Sequence, residues 1–192
     1  MRFVVLSRLD AESFRADQPY AVVSFGDPEQ PLPLLQDDPR RVGMVRIECH
    51  DTDMEHGPWT CFTDADAERV LDFVALMHES AAFIVVHCEA GISRSRGCAV
   101  ALGRIYGDPF AHAGHGSPNL LIVERLIREH NRRSGQNIPV PVVTHEITRC
   151  LVHTQAVIYE AYGEDDTLEC RCAVCGERAE TRRIEVSRPP VR

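Results

Sequence analysis

Nine consecutive residues, His87-Cys88-Glu89-Ala90-Gly91-Ile92-Ser93-Arg94-Ser95, carry the types and spacing that could do chemistry. A thiol is followed after five residues by a guanidinium and then a hydroxyl. The segment joins the apolar run Phe83-Ile84-Val85-Val86 to a stretch of helical spacing. In a tight strand-to-helix loop, successive backbone N–H groups point inward, and the helix that follows adds the positive end of its dipole. That is a cradle for a phosphoryl group. Gly91 permits the close backbone path. Arg94 offers a planar, two-pronged donor that a Lys would not match. Glu89, Ala90, Gly91, Ile92, Ser93 and Arg94 are therefore the expected phosphate-binding residues, and Cys88 lies at the base, where the same field favours a thiolate near neutral pH.

The elements that must position this loop follow from periodicity and punctuation. Phe3-Val4-Val5-Leu6 and Ala21-Val22-Val23-Ser24-Phe25 read as short buried strands, and Val42 through Cys49 as a third. Pro28, Pro31, Pro33 and Pro39 mark the segment between the last two as loop. Thr63 or Asp64 can cap a helix whose apolar face is Val70, Leu71, Phe73, Val74 and Met77. The run at 83–86 is then a buried central strand, followed by helices from Arg94 to Tyr106 and from Leu120 onward. Alternating strands and helices predict an α/β fold with a central, mostly parallel sheet and helices on both faces. From Arg132 the character changes, and Ser134-Gly135-Gln136-Asn137, Pro139 and Pro141 read as a connection. The spacing of Ile147, Leu151 and Ile158 predicts a helix from about Thr144 to Tyr162, with a small hairpin in the last thirty residues. The expected division is a catalytic domain at 1–133 and a helix plus Cys-rich extension at 134–192.

The segment at 87–95, in this setting, resembles the Cys-based protein tyrosine phosphatase superfamily, in its compact dual-specificity-like branch. The resemblance covers roughly residues 43–130. It implies that Cys88 is a nucleophile forming a phosphocysteine and that Arg94 binds the phosphate. It implies that Ser95 assists departure of the thiolate, and that His87 orients the loop, a role that overlaps with a satisfied core histidine. Asn119, in Ser117-Pro118-Asn119, matches a segment that braces the phosphate loop, and a plain helix cap accounts for it equally well. The family also places an acidic residue just after the preceding strand. Asp51 has the better register for that general acid, and Asp53 is the reserve. Asp64 and Asp66 more naturally charge the first turn of a helix.

What is absent narrows the substrate. The loop holds no Lys, and no Lys occurs anywhere in the chain. Glu89-Ala90 and Ile92-Ser93 make a poor surface for a polyanionic head group. A phosphoprotein or a small aryl phosphate is the expected substrate. A net charge of −8 argues against a nucleic-acid partner. No apolar run reaches the roughly 18–20 residues of a membrane span, and Phe3-Val4-Val5-Leu6 is too short for a signal peptide. A reducing cytoplasm is the expected compartment, because the scattered cysteines do not read as a disulfide framework.

The eight cysteines then divide by position. Cys49, Cys61 and Cys98 read as packing residues. Cys172 and Cys175 form a Cys-x-x-Cys-Gly knuckle, and Cys150 with His153 could complete four ligands for a structural zinc, with Cys170 as a rival. The alternative is a set of unliganded thiols. No cofactor is expected in the chemical step. The reading is a phosphatase acting on phosphotyrosine-like monoesters through a phosphocysteine, with an Asp general acid; the alternative is a non-catalytic phosphate-binding module.

Overall fold

The computed structural model describes residues 1–53, 58–109, 111 and 116–140, and beyond these the backbone of strands at 143–149, 158–162, 168–172 and 180–186. The chain divides into two compact units, Met1–Pro141 and Val142–Arg192.

The first unit is built on β1 (Arg2–Leu6), β2 (Tyr20–Gly26), β3 (Arg41–Glu48) and β4 (Phe83–His87). The four strands form one sheet in the order β1-β4-β2-β3, every neighbouring pair parallel. β2 and β4 are the central strands and are buried along their whole length. That is why they read as unbroken apolar runs and not as alternating ones. β3 lies at an edge, and there Val42 and Met44 remain exposed.

Side chains of a strand alternate between the two faces of a sheet. On one face Ala21, Val23, Phe25, Ile84 and Val86 join a core with Val70 and Val74 of α2 (Asp64–Met77), Leu102 of α3 (Arg94–Tyr106) and Ile122 and Leu126 of α4 (Leu120–Ser134). On the other face Tyr20, Val22, Phe83 and Val85 are covered by Phe14, Ala16 and Leu35. Phe14 ends a short helix, α1 (Arg8–Ser13), which periodicity does not reveal. Six residues carry no apolar stripe long enough to detect. Its signal is instead a cap, the Ser7 hydroxyl accepting from the Asp10 N–H at 3.1 Å.

Two caps fix the helices around the site. Thr63 and Asp66 make a reciprocal capping box at the start of α2. Asn119 accepts from the Ile122 N–H at 3.1 Å at the start of α4. The connection after α4 is part of the first unit: Ile138 and Val140 pack on its core, and Asn131 bonds the Ile138 backbone in both directions, at 2.9 and 3.0 Å.

The second unit corrects the expected helix over 144–162. β5 (Val143–Arg149) and β6 (Ile158–Tyr162) stand where its two ends were placed. β5 pairs antiparallel with β8 (Glu180–Val186), and β6 with β7 (Leu168–Cys172). The physical reason lies in Val143, Thr144, Ile147 and Thr148, whose branched side chains favour extended backbone. The stripe Ile147, Leu151, Ile158 has helical spacing, and the partner strand β8 lies far along the chain, outside any local window.

Candidate active site

β4 ends at His87, and the loop 88–93 leads directly into α3. Two glycines make this path possible. Gly91 has φ +74°, in the left-handed region, and a Cβ there would sit 2.8 Å from the Ser7 nitrogen and 2.9 Å from the Leu6 carbonyl oxygen. Gly97, one turn into α3, faces the Asn119 carbonyl oxygen, which a Cβ would approach to 2.5 Å. The loop thus leans on the end of β1, where Arg8 N–H donates to the Glu89 carbonyl at 3.1 Å. Its exit is clamped against the start of α4, where Asn119 N–H donates to the Ser93 carbonyl at 3.2 Å.

Cys88 is 2% exposed. Its Sγ accepts the Gly91 N–H at 3.3 Å and lies 3.1 Å from the Ser95 Oγ in a second hydrogen bond. The sulfur is thus held between a backbone donor and a hydroxyl. Ser93 is the residue before α3, yet its side chain makes no cap to that helix. The first-turn amides of α3 therefore take no cap from the Ser93 hydroxyl.

Arg94 is almost fully buried, at 5% side-chain exposure. Its Nη1 donates to the Cys49 carbonyl at 2.7 Å and to the Asp27 carboxylate at 2.7 Å. Both hydrogens of that nitrogen are then in use, and the Nε–H is buried without an acceptor. The guanidinium has five N–H groups, so the Nε–Nη2 edge is the one that could bond a pair of acceptor oxygens.

His87 is 1% exposed, next in register to Leu6 of β1 and Ser24 of β2. Burial, and then the charge of Arg46, push its imidazole down to about 4, with the Cys88 backbone and Glu12 opposing. It is neutral at physiological pH. Arg46 reaches this spot by crossing Gly26, where any Cβ would run into its guanidinium, and donates to the Ser24 hydroxyl at 3.1 Å.

Asp51 follows β3 as the sequence predicted. Its Oδ1 accepts from the Ser93 hydroxyl at 2.7 Å and from the Asn119 Nδ2 at 3.1 Å. Asn119 spends its other amide hydrogen on the Thr52 carbonyl at 3.1 Å. Asn119 thus caps α4 and joins the loop at 51–52 to the loop at 88–93. Asp53 lines a groove with Asp51, Thr52, Ser93, Ser117, Pro118, Asn119 and Leu120, with a volume of about 450 Å³. Asp64 and Asp66 belong to α2 as read, Asp64 pairing with Arg125 at 3.0 Å. Glu89 and Ala90 are exposed at the rim, and Ile92 is about half exposed.

Asp27 and the Ser7–Arg8 corner are site neighbours that the sequence reading missed. Asp27 stands just past the carboxyl end of β2, the strand beside β4, and residues at such ends gather at one edge of a parallel sheet. That rule was the available signal. Among the zinc candidates, Cys150, His153 and Cys175 lie outside the described residues. Cys170 and Cys172 both belong to β7. No metal-holding group of His, Cys, Asp and Glu occurs among the described residues. Burial pushes the Cys49 thiol up to about 12 and raises that of Cys98 as well, which suits the packing role read for both. No helix among the described residues is long and apolar enough to cross a membrane.

No family model matches the sequence, and no curated protein does. Solved structures do. A mouse dual-specificity phosphatase complexed with zinc tungstate is 18% identical, with a TM-score of 0.48 over 69% of this chain and 84% of its own. A variant of human DUSP28 is 20% identical, with a TM-score of 0.49 over 70% of this chain and 93% of its own. PTPMT1 in complex with PI(5)P is 18% identical, with a TM-score of 0.43 over 61% of this chain and 80% of its own.

Proposed function

We propose that this chain is a Cys-dependent phosphatase of phosphotyrosine-like monoesters, acting through a phosphocysteine. The observation that carries the reading is the setting of Cys88 Sγ, 3.3 Å from the Gly91 nitrogen and 3.1 Å from the Ser95 Oγ, at the mouth of α3. In the first step the Cys88 thiolate attacks phosphorus as the ester P–O bond breaks. Asp51 gives its proton to the leaving oxygen. In the second step water attacks the phosphocysteine, Asp51 takes a proton from it, and the S–P bond breaks to return the thiolate. The Ser95 hydroxyl donates to the sulfur as its charge returns. Throughout, the loop amides and the Nε–Nη2 edge of Arg94 hold the non-bridging oxygens, where charge is stabilised without reorganisation.

The depth of Cys88 supports an aryl substrate, because a buried sulfur is reached only by a phosphate on an extended arm. The acidic rim at Glu89, Asp51 and Asp53 supports a monophosphate over a polyanionic lipid head group. A phosphoprotein in a reducing cytoplasm, where the thiol stays reduced, is the substrate class we assign.

The test is turnover of a generic aryl phosphate by the wild type beside Cys88→Ser. Hydrolysis by the wild type and none by the variant is expected, since a serine hydroxyl is not ionised at neutral pH. Phosphate binding by both proteins with turnover by neither would make the chain a non-catalytic phosphate-binding module.

A further inference from the structure

We propose that Asp27 is a positioning residue for Arg94, turning the guanidinium so that its Nε–Nη2 edge faces the phosphate loop. The inference rests on the phosphate-cradle reading of residues 88–94 and adds to it a residue from a different strand end.

A guanidinium on a flexible stem has no inherent orientation, so some acceptor must choose which edge it shows. Two acceptors do so here. The Cys49 carbonyl and the Asp27 carboxylate each take one hydrogen of Nη1 at 2.7 Å. They approach from the ends of two adjacent strands, β3 and β2, which are tied to each other by the Cys49 N–H to Gly26 carbonyl bond at 2.9 Å. Asp27 is itself fixed. It opens the turn Asp27-Pro28-Glu29-Gln30, in which Gln30 N–H donates to the Asp27 carbonyl at 3.0 Å and the Gln30 side chain accepts from the Asp27 N–H at 3.2 Å. Asp at the first position and Pro at the second are the residues such a turn favours. Gln30 also lies 3.5 Å from the Glu89 carboxylate, which links this turn to the phosphate loop.

An exposed ion pair would contribute little. This pair differs because the Arg94 side chain is 5% exposed while Asp27 is 37% exposed. Removing Asp27 leaves a buried cation with one acceptor where it had two, free to swing. The opposing effect is electrostatic, since a carboxylate near the site repels an incoming phosphate. Asp27 bonds the nitrogen away from the phosphate-facing edge, and water screens its open side. Orientation is therefore the larger effect.

The experiment compares Asp27→Ala and Asp27→Asn in the full chain, by titration calorimetry with inorganic phosphate and by kcat and KM on two aryl phosphates of different leaving-group basicity. Asp27→Ala is expected to weaken phosphate binding about tenfold or more, because a shift of about an ångström in a charge-assisted contact costs that much. kcat/KM should fall by a similar factor for both substrates. Asp27→Asn, which keeps an oxygen acceptor, should recover most of the loss. In an Arg94→Ala background, Asp27→Ala should add nothing. Phosphate binding by Asp27→Ala as tight as or tighter than wild type overturns the proposal and makes the carboxylate a competitor. A loss confined to the more basic leaving group overturns it too, by making Asp27 an acid. An equal loss in the Arg94→Ala background reduces Asp27 to general stability. If the wild type binds no phosphate, the cradle reading itself fails and Asp27's role fails with it. Phosphate binding without turnover leaves the positioning role intact.

Discussion

Ser93 gives its hydroxyl to Asp51 at 2.7 Å and not to the helix it precedes. Ser and its neighbours at a helix start ordinarily satisfy an N–H of the first turn. Here that hydroxyl is spent forty-two positions away in sequence, on a carboxylate from the end of β3. Asn119 adds a second donor to the same oxygen at 3.1 Å. One oxygen of Asp51 is thereby fastened to the loop at 88–93 and to the cap of α4, and the other oxygen takes no part in these bonds. The strand end, the loop and the helix cap are joined through this one carboxylate.

The first prediction separates Asp51 from Asp53. A general acid matters most for a basic leaving group, because an acidic phenol departs without a proton. Asp51→Asn should slow hydrolysis of phosphotyrosine roughly a hundredfold, within the usual range for general-acid catalysis, and an activated aryl phosphate far less. Asp53→Asn should change neither by more than about twofold, since a neighbouring exposed charge is screened. Rates on the two substrates decide it. The leaving-group-dependent loss appearing in Asp53→Asn instead would move the acid by two positions.

Asn119 carries two functions on two atoms, and they can be split. Asn119→Asp keeps an oxygen for the Ile122 N–H but loses the Nδ2 donors and sets a like charge beside Asp51. Its unfolding midpoint should stay near wild type while phosphotyrosine hydrolysis falls severalfold. Asn119→Ala should lose the cap as well, at about 1 kcal/mol of stability. Denaturant melts beside rates on phosphotyrosine check both arms. Equal activity in wild type and Asn119→Asp would reduce Asn119 to a cap.

Arg94→Lys tests the two-pronged edge. A lysine can place one charge in the cavity but cannot bond Cys49, Asp27 and two phosphoryl oxygens in one plane. Phosphate affinity should fall at least tenfold, a loss consistent with one charge-assisted bond. Calorimetric titration reads it directly, and unchanged affinity would show that the amides alone hold the anion.

The strand ends and the loop between β4 and α3 were legible because their signals are local. Phe83 to Val86 is unbroken and β-branched, and Cys88, Gly91 and Arg94 stand at fixed spacing within one loop. Asp51 was singled out by the resemblance, from its place after a strand, and it stands within hydrogen-bond distance of Ser93. What escaped depends on contacts distant in sequence. Asp27 reads as one more acidic loop residue until β2 is seen to lie beside β4, sixty-seven positions before Arg94. The strand β5 was mistaken for helix because its partner β8 is invisible to a local window, while Ile147 and Leu151 happen to fall four apart. Asn119 had two competing readings because the sequence cannot show that its oxygen and nitrogen serve different neighbours.

The cysteines of the second unit give a metal prediction. If Cys172 and Cys175 with Cys150 and His153, or Cys170 in place of one of them, hold zinc, protein purified without chelator should carry about one equivalent, the content of one closed four-ligand site. Chelation should loosen residues 142–192 and leave aryl phosphate turnover unchanged. Elemental analysis that finds no metal would leave these cysteines as unliganded thiols.

His87 gives a pH prediction with a definite sign. Its imidazole is pushed down to about 4 in the folded protein, chiefly by burial and then by Arg46, while in the unfolded chain it titrates near the ordinary value of about 6.5. Above pH 6.5 it is neutral in both states and costs nothing. As pH falls below 6.5 the unfolded chain takes up a proton that the folded chain refuses, so stability declines until the folded group also titrates near 4. The full difference is on the order of 3 kcal/mol. Carboxylates and exposed histidines titrate in the same window, so the comparison must be with His87→Gln, which removes this group alone. Denaturation midpoints at pH 7, 6, 5 and 4.5 should fall more steeply for the wild type than for the variant, whatever the variant's stability at pH 7. Parallel curves would mean that His87 is solvated or paired in the folded chain. The neutral ring matters for the chemistry because it sits one residue before Cys88. A charged imidazole there would add a pH-dependent positive charge beneath the phosphate loop, whereas a neutral one leaves the anion site to Arg94 and the amides of the loop.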